Sequence, residues 1–326
     1  MAVGNTSYAT LATVTLQNFQ NEIFNNVVTN LAALNELKMA GNIKVVGGGR
    51  KFNHPVYYKQ NSTFAAIDKF GTIPTDLQDP LTRAEYDIKT IAGSIVYSIV
   101  EEAMNAGSRE KLIDYVDSLK MVAQSSMTEV MGDQVMQAEA SVGTDDFDSI
   151  PKIIADSAST QTTSVGGIDS SASGQEFWQN YVYSTAVTAF GTSQAGLNAM
   201  DTALNGATKG RQGPTFGITT AAIFTLYQLS LTANVRYSSL ERGEAGFKNL
   251  LYSTIPVMID DNCPADHLYF IDGNSLKLQV LSQGNMKITA FQQAYSQLMA
   301  RSMLYMLGNL TCGSRRTNAV ITSITG

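Results

Sequence analysis

Between Ser108 and about Ser141, the apolar residues Leu112, Val116, Leu119, Ala123, Met127, Val130 and Met131 fall at steps of three and four. That spacing predicts a helix with one buried face. No proline interrupts it, Ser108 can cap its start, and Glu110 places negative charge at the positive end of the helix dipole. Such a helix is on the order of 50 Å long at 1.5 Å per residue, which makes it a strut rather than a carrier of a pocket. A second stripe, Leu16, Phe19, Ile23, Val27, Leu31, Leu34 and Leu37, is backed by Asn18, Asn21, Asn25, Asn26 and Asn30. This helix therefore has a polar face with almost no charge, suited to water or to a neighbouring subunit.

Gly41 closes that second helix, and Ile43 to Val46 begin an extended stretch before Gly47-Gly48-Gly49. From Arg50 to about Leu81 no helical period is present. The alternation of Tyr86 and Ile88 resumes on the opposite parity as Ile95, Tyr97 and Ile99, which predicts a bulge or twist near Gly93. Residues 43–100 thus read as a long two-stranded excursion without a core of its own, and a lone hairpin of that size needs something to lie on. Ser141 to Gly174 is loop by composition. Ala195–Leu204 and Ala221–Leu231 read as helices, and Ile255–Ile259, His267–Ile271 and Leu276–Leu281 as strands. Asp272-Gly273-Asn274 predicts a hairpin between the last two strands. Ser302–Cys312 and Asn318–Ile324 read as a terminal strand pair turning at Gly313 to Arg316. There is no internal repeat and no low-complexity tract.

Composition sharpens this picture in one respect. Only 15% of the 326 residues are charged while 44% are hydrophobic. A solitary protein usually carries about a quarter charged residues, so the low figure points to a surface that meets other protein. The net charge of −6 argues against binding nucleic acid by counterion release. Two cysteines, Cys263 and Cys312, fit a reducing compartment. The first basic residue is Lys38, so a signal peptide is not expected, nor is a membrane span, and cytoplasm is the expected site of synthesis.

Candidate chemistry is thin. Gly47-Gly48-Gly49-Arg50-Lys51 is followed by an extended segment rather than the helix a phosphate loop requires. Gly206 to Gly213 lacks the Gly-Lys-Ser/Thr ending and reads as a surface turn. Gly191-Thr192-Ser193-Gln194-Ala195 misses the last glycine of a nucleophile elbow, and only His54 and His267 exist to act as a base. Cys263 and His267 have metal spacing, but with Cys312 they fall short of the four ligands of structural zinc. Asp260, Asp261, Asp266 and Asp272, and the knot Asp145, Asp146 and Asp148, lack the spacing of a calcium loop and read as turn-forming carboxylates, with weak cation binding as the alternative. Met121, Met127, Met131 and Met136 read as adaptable packing. No catalytic, cofactor-binding or metal residue is assigned.

In order along the chain stand Lys44-Val45-Val46-Gly47-Gly48-Gly49-Arg50-Lys51, His54-Pro55-Val56-Tyr57-Tyr58, Asn61-Ser62-Thr63, Gly166-Gly167-Ile168-Asp169, and Trp178-Gln179-Asn180. They are followed by Asp261-Asn262-Cys263-Pro264, Leu268-Tyr269-Phe270, and Gly308-Asn309-Leu310-Thr311-Cys312 with Arg315-Arg316. Taken together these resemble the major capsid proteins of tailed bacteriophages with the HK97-type shell fold. The resemblance implies an α+β chain with an N-terminal arm (1–41), an extended loop with flanking strands (42–100), a peripheral domain (101–141 and 286–326) and an axial domain (142–285). It further implies a non-enzymatic subunit of an icosahedral or prolate head, assembled in host cytoplasm into hexamers and pentamers around double-stranded DNA. Separate scaffolding, portal and decoration proteins would be its partners, with no membrane and no cofactor. Some relatives join neighbours by a Lys to Asn isopeptide bond. Lys59 or Lys69 stands where such a lysine could sit, but no partner Asn or catalytic Glu is marked, and the bond is not assigned.

Two other readings stay open on sequence: a nanocompartment shell around a cargo enzyme, and a soluble enzyme with an unrecognised pocket. Shells predict megadalton particles, and an enzyme predicts a small discrete oligomer.

Overall fold

The computed structural model describes residues 31–100, 109–161, 164–191, 194–231, 249–293 and 297–325. The first part of the arm stripe, Leu16 to Val27, and the cap at Ser108 lie outside them. The described end of the arm is helix α1 (Ala32–Met39), followed by strands β1 (Ile43–Val46), β2 (Lys51–Tyr57), β3 (Leu81–Asp87) and β4 (Lys89–Ser98). Next comes the long helix α2 (Arg109–Met136), then a single helical turn α3 (Ile150–Ile153) and strand β5 (Tyr181–Tyr183). Helix α4 (Ala195–Ala207), strand β6 (Phe216–Thr219), helix α5 (Ala221–Ser230) and strands β7 (Asn249–Tyr252), β8 (Ile255–Ile259) and β9 (Leu268–Ile271) follow. The chain ends in β10 (Leu276–Leu281), β11 (Lys287–Ile288), β12 (Gln292–Gln293), β13 (Met299–Cys312) and β14 (Ala319–Ile321). The fold is α+β, and among the described residues no helix is long and apolar enough to cross a membrane.

Helix α2 has 28 residues and is about 42 Å long, shorter than its stripe predicted because it stops at Met136. Met127, Met131, Val135 and Met136 are buried beneath it, while Met121 and Val122 on its earlier part, and Val130 between two of the buried methionines, remain half open. The strut is seated by its C-terminal half.

The described strands form two six-stranded sheets and the separate two-stranded sheet of β2 and β3. The first is built on β13, which pairs with β10 and β4 and, more briefly, with β11 and β12, while β1 runs parallel beside β10. The second runs β5-β14-β9-β6-β8-β7. Helices α4 and α5 close the second sheet over a core that includes Met200, Phe190, Ile223, Phe224 and Phe270. Ala199, Met200, Ala203 and Ala207 form the buried face of α4 at helical spacing, and the Thr220 hydroxyl accepts the Ile223 amide to start α5.

Several expectations are corrected. The Asp272 turn forms, with the Ser275 amide donating to the Asp272 carbonyl at 3.0 Å, yet β9 and β10 do not pair. Each enters a different sheet, so the turn is a crossing and not a hairpin. The terminal strand pair is likewise absent: β13 lies in the first sheet and β14 in the second, between β5 and β9. The two crossings are stapled side by side by buried Asn318. Its Oδ1 accepts the Asp272 amide at 2.8 Å, and its Nδ2 donates to the Ser314 carbonyl at 2.9 Å and to Ser275 Oγ at 3.2 Å. No bulge occurs at Gly93, because the β4–β13 register is continuous from Lys89 to Ser98. The change of parity happens at Ile88, where the chain leaves its partner β2 and joins β13. The described residues of 141–174 are mostly loop, apart from the turn α3, yet they are not surface: Phe147, Ile150, Ile153 and Ile154 are fully enclosed. Serines and aspartates there serve turns, and the scattered apolar residues supply the core.

Candidate assembly interface

The excursion has two unlike parts. At its base β2 and β3 form a two-stranded sheet in the register Phe52↔Tyr86, His54↔Ala84 and Val56↔Thr82. Alternation puts Phe52, Val56, Ala84 and Tyr86 on the side facing the body, where all four are buried. Pro55 is tolerated because β2 has only one partner strand. The base is pinned by polar contacts as well. The Tyr86 hydroxyl donates to the Cys312 carbonyl at 3.0 Å, the Glu85 amide to the Gly166 carbonyl at 2.8 Å, and Asn309 Nδ2 to the Asp87 carbonyl at 2.9 Å. Burial pushes the Tyr86 phenol far above its ordinary pKa, so it stays a donor.

Gly166 makes the contact possible. It sits at φ +62°, and a side-chain carbon there would come within 2.9 Å of Ala84 Cβ and 3.1 Å of the Tyr86 ring. The neighbouring Trp178 indole donates to the Val165 carbonyl at 2.9 Å, and Phe177 packs on Tyr58 with ring centroids 5.1 Å apart. The sequence stretches around His54, Gly166, Trp178 and Cys312 therefore converge on one place, the foot of the hairpin. His54 lies there too, edge-on to Tyr86 and 3.1 Å from Gln279 Nε2. Burial, then the charges of Lys277 and Lys44, hold its pKa below the ordinary value.

Beyond Tyr58 the chain leaves the body. Residues 58–80 carry no strand or helix. Phe64, Phe70 and Leu77 expose 86%, 91% and 99% of their surface, with Ile67 and Ile73 also open. Local contacts only shape the tip: Asn61 Oδ1 accepts the Thr63 amide at 2.9 Å and Ser62 Oγ donates to Gln78 at 3.1 Å. Lys59 and Lys69 are both exposed on it. A cluster of large apolar side chains held away from any core marks an interaction surface.

The root of the arm is anchored separately. The Ala33 amide, in the first turn of α1, donates to Asp260 Oδ2 at 2.8 Å. Burial raises the Asp260 pKa to about 6, against the lowering effect of the amides of Ala33 and Asn262. Leu31 lies over Gly132 of α2, where a side-chain carbon would come within 2.3 Å of Leu31 Cδ2.

The remaining candidates are spent on structure. Cys263 and Cys312 are buried and unbridged, with thiols pushed upward by burial, that of Cys312 to about 11. His267 Nε2 meets Asp156 at 2.9 Å; burial opposes its charge, but hydrogen bonds to Asp156 and the Ala265 carbonyl leave its pKa raised. Asp272 accepts the Asn274 amide at 3.0 Å, Asp146 the Gly143 amide at 2.8 Å, and Asp148 pairs with Lys152 at 2.5 Å. Ser193 lies outside the described residues. Among the described residues no group of three or more His, Cys, Asp or Glu could hold a metal ion.

One residue had no sequence signal beyond its place in a motif. Arg315 is fully buried, its Nε donating to the Ile153 carbonyl at 2.6 Å and its guanidinium to Gln161 Oε1 at 2.7 Å and Asn180 Oδ1 at 3.3 Å. It ties the 150s, the 160s and β5 to the crossing after β13.

No family model matches this sequence, and no curated protein does. Solved structures do match. The capsid asymmetric unit of cyanophage A-1(L) aligns at TM-score 0.68 with 17% identity, over 95% of this chain and 97% of that one. The chain has the HK97-type shell fold. The capsid of a native GTA particle aligns at TM-score 0.60 with 12% identity, over 99% of this chain and all of that one. An encapsulin complex from Synechococcus elongatus PCC 7942 aligns at 0.58 with 10% identity, over 96% and 95% of the two chains. At these identities the fold is shared while few individual side chains are.

Proposed function

We propose that this chain is a non-catalytic subunit of a bacteriophage head, assembling into hexamers and pentamers that enclose double-stranded DNA. The observation that carries the reading is the hairpin tip: on a chain with a shell fold, Phe64, Phe70 and Leu77 stand in solvent on a limb that has no core to return to. Copies of the same chain are the partner that such a limb fits, because burying these side chains recovers roughly 1.5–3 kcal/mol each. The low charged content and the net charge of −6 support a subunit whose surface meets protein and whose inner wall does not hold the genome by ion pairing.

In this reading 1–41 form the arm, 42–100 the extended loop, 101–141 with 286–326 the peripheral domain and 142–285 the axial domain, with strands exchanged at the Asp272 and Gly313 crossings. Assembly takes place in host cytoplasm, with scaffolding, portal and decoration proteins as separate chains. Electron microscopy of the purified recombinant protein tests it. Closed shells of megadalton mass are expected, and a discrete small oligomer at all concentrations would overturn the reading. Shells that retain a cargo enzyme rather than nuclease-protected DNA when isolated from the native source would transfer the chain to the nanocompartment class.

A further inference from the structure

His267, the residue before β9, has an acceptor against each of its ring nitrogens: Nε2 meets Asp156 Oδ2 at 2.9 Å, and Nδ1 meets the Ala265 carbonyl. A neutral imidazole carries one N–H and can satisfy only one of them, whereas the imidazolium satisfies both. We propose that this pair of contacts is a proton-operated clasp, closed when the ring is charged, between the segment that follows α3 and the second sheet.

Both jaws are fixed without help from the ring. On one side Asp156 follows Ala155, whose carbonyl accepts Asn180 Nδ2 at 2.9 Å, and Ile153 just before it is held by Arg315. On the other side the His267 carbonyl accepts the Thr219 hydroxyl of β6 at 2.9 Å, and the Asp266 carbonyl accepts the Ile324 amide beyond β14 at 3.1 Å. The ring is stacked on Tyr269 of β9 with the planes 11° apart, which sets the orientation in which both nitrogens reach their acceptors. The two jaws therefore meet through one imidazole.

The titratable groups facing the ring are Asp156 on the segment after α3, Asp266 on its own turn, and the Tyr269 phenol, which burial keeps neutral. Burial opposes the charge on the ring, but the bonds to Asp156 and the Ala265 carbonyl and the two carboxylates outweigh it. A histidine whose folded pKa is raised contributes stability that is complete below its ordinary value of 6.5 and is lost as pH rises through the folded value. On the alkaline side the ring keeps one of its two bonds, and the join loosens. The two histidines of the sequence thus respond to acid in opposite senses, because His54 faces lysines and His267 faces carboxylates.

With only two histidines, an NMR titration of the unassembled full chain is a direct test. One imidazole signal is expected to titrate above pH 6.5, to vanish in His267→Gln, and to titrate lower in Asp156→Asn, whose half-exposed side chain carries little risk to folding. A His267 signal that titrates at or below pH 6.5, or one that Asp156→Asn leaves in place, would overturn the proposal. Hydrogen exchange then separates a clasp from a passive ion pair. The protection factor of the Ile324 amide is expected to fall by about two- to fivefold as pH rises through that titration, the scale of a half-exposed ion pair, and to stay level in His267→Gln. Equal pH profiles in the two proteins would overturn the proposal as well. Both readouts belong to the single subunit, so they stand or fall whether or not shells form.

Discussion

The base and the tip of the extended hairpin belong to one continuous stretch and follow opposite rules. At the base every second side chain turns inward onto the body, and Tyr86, Glu85 and Asp87 each make a fixed polar contact with it. At the tip the apolar side chains are as large but face water, and the polar groups bond only to near neighbours. Hydrophobicity by itself therefore does not decide what a residue contributes. The same type of residue stabilises the subunit when it reaches the body and is available to another molecule when it does not.

The largest effect that tests this contrast is all or none. Replacing residues 60–80 by a short Gly-Ser turn is expected to leave the urea midpoint of the unassembled subunit unchanged while abolishing shells in electron micrographs. Loss of soluble, folded subunit would show that the tip has a structural role within its own chain. Next in size is the base. Tyr86→Ala removes a fully buried ring and should cost about 3–5 kcal/mol in denaturant unfolding. Tyr86→Phe keeps the ring but strands the Cys312 carbonyl, and should cost about 1–3 kcal/mol.

A smaller effect is expected from His54. Its folded pKa is depressed, so below its ordinary value of 6.5 the unfolded chain binds the proton more readily than the folded one. The contribution of this histidine to stability is complete above pH 6.5 and is lost as pH falls through the depressed folded value. The difference in unfolding free energy between the wild type and His54→Gln, followed from pH 8 to pH 5, isolates that contribution from the opposite trend of Asp260. The raised pKa of Asp260 makes folding less favourable as pH rises from 3.8 toward about 6. A pH-independent difference would remove His54 from the base's electrostatics. Smallest of all, Phe70→Ser should move subunit stability by no more than about 0.5 kcal/mol while slowing assembly measured by light scattering.

What the sequence makes legible is local. The strut is readable because Leu119, Ala123, Met127 and Met131 repeat along one helix, and the excursion because Tyr86 and its neighbours alternate without enough apolar residues to close on themselves. The Asp272 turn is readable as a turn, since the carboxylate caps the amide two residues on. Its destination is not, because the same turn serves a hairpin and a crossing between sheets, and only the non-local partners β6, β13 and β14 decide between them. The alternation points to Gly93 for a parity change that occurs at Ile88, for a related reason: a strand that exchanges one partner for another can change its inward face without an inserted residue. At the interface, the exposed tip could be inferred from its lack of pattern. The convergence of Gly166, Trp178 and Cys312 on the hairpin foot could not, nor could the burial of Arg315, whose partners are distant in the chain.

The β4–β13 ladder runs for ten uninterrupted pairs immediately after the hairpin's return strand. Tension applied along the limb by a neighbour would be directed along β4 and would strain those rungs together, in shear, rather than opening them singly from one end. A chain wired this way would hand an outward load on the limb to β13, the longest strand among the described residues.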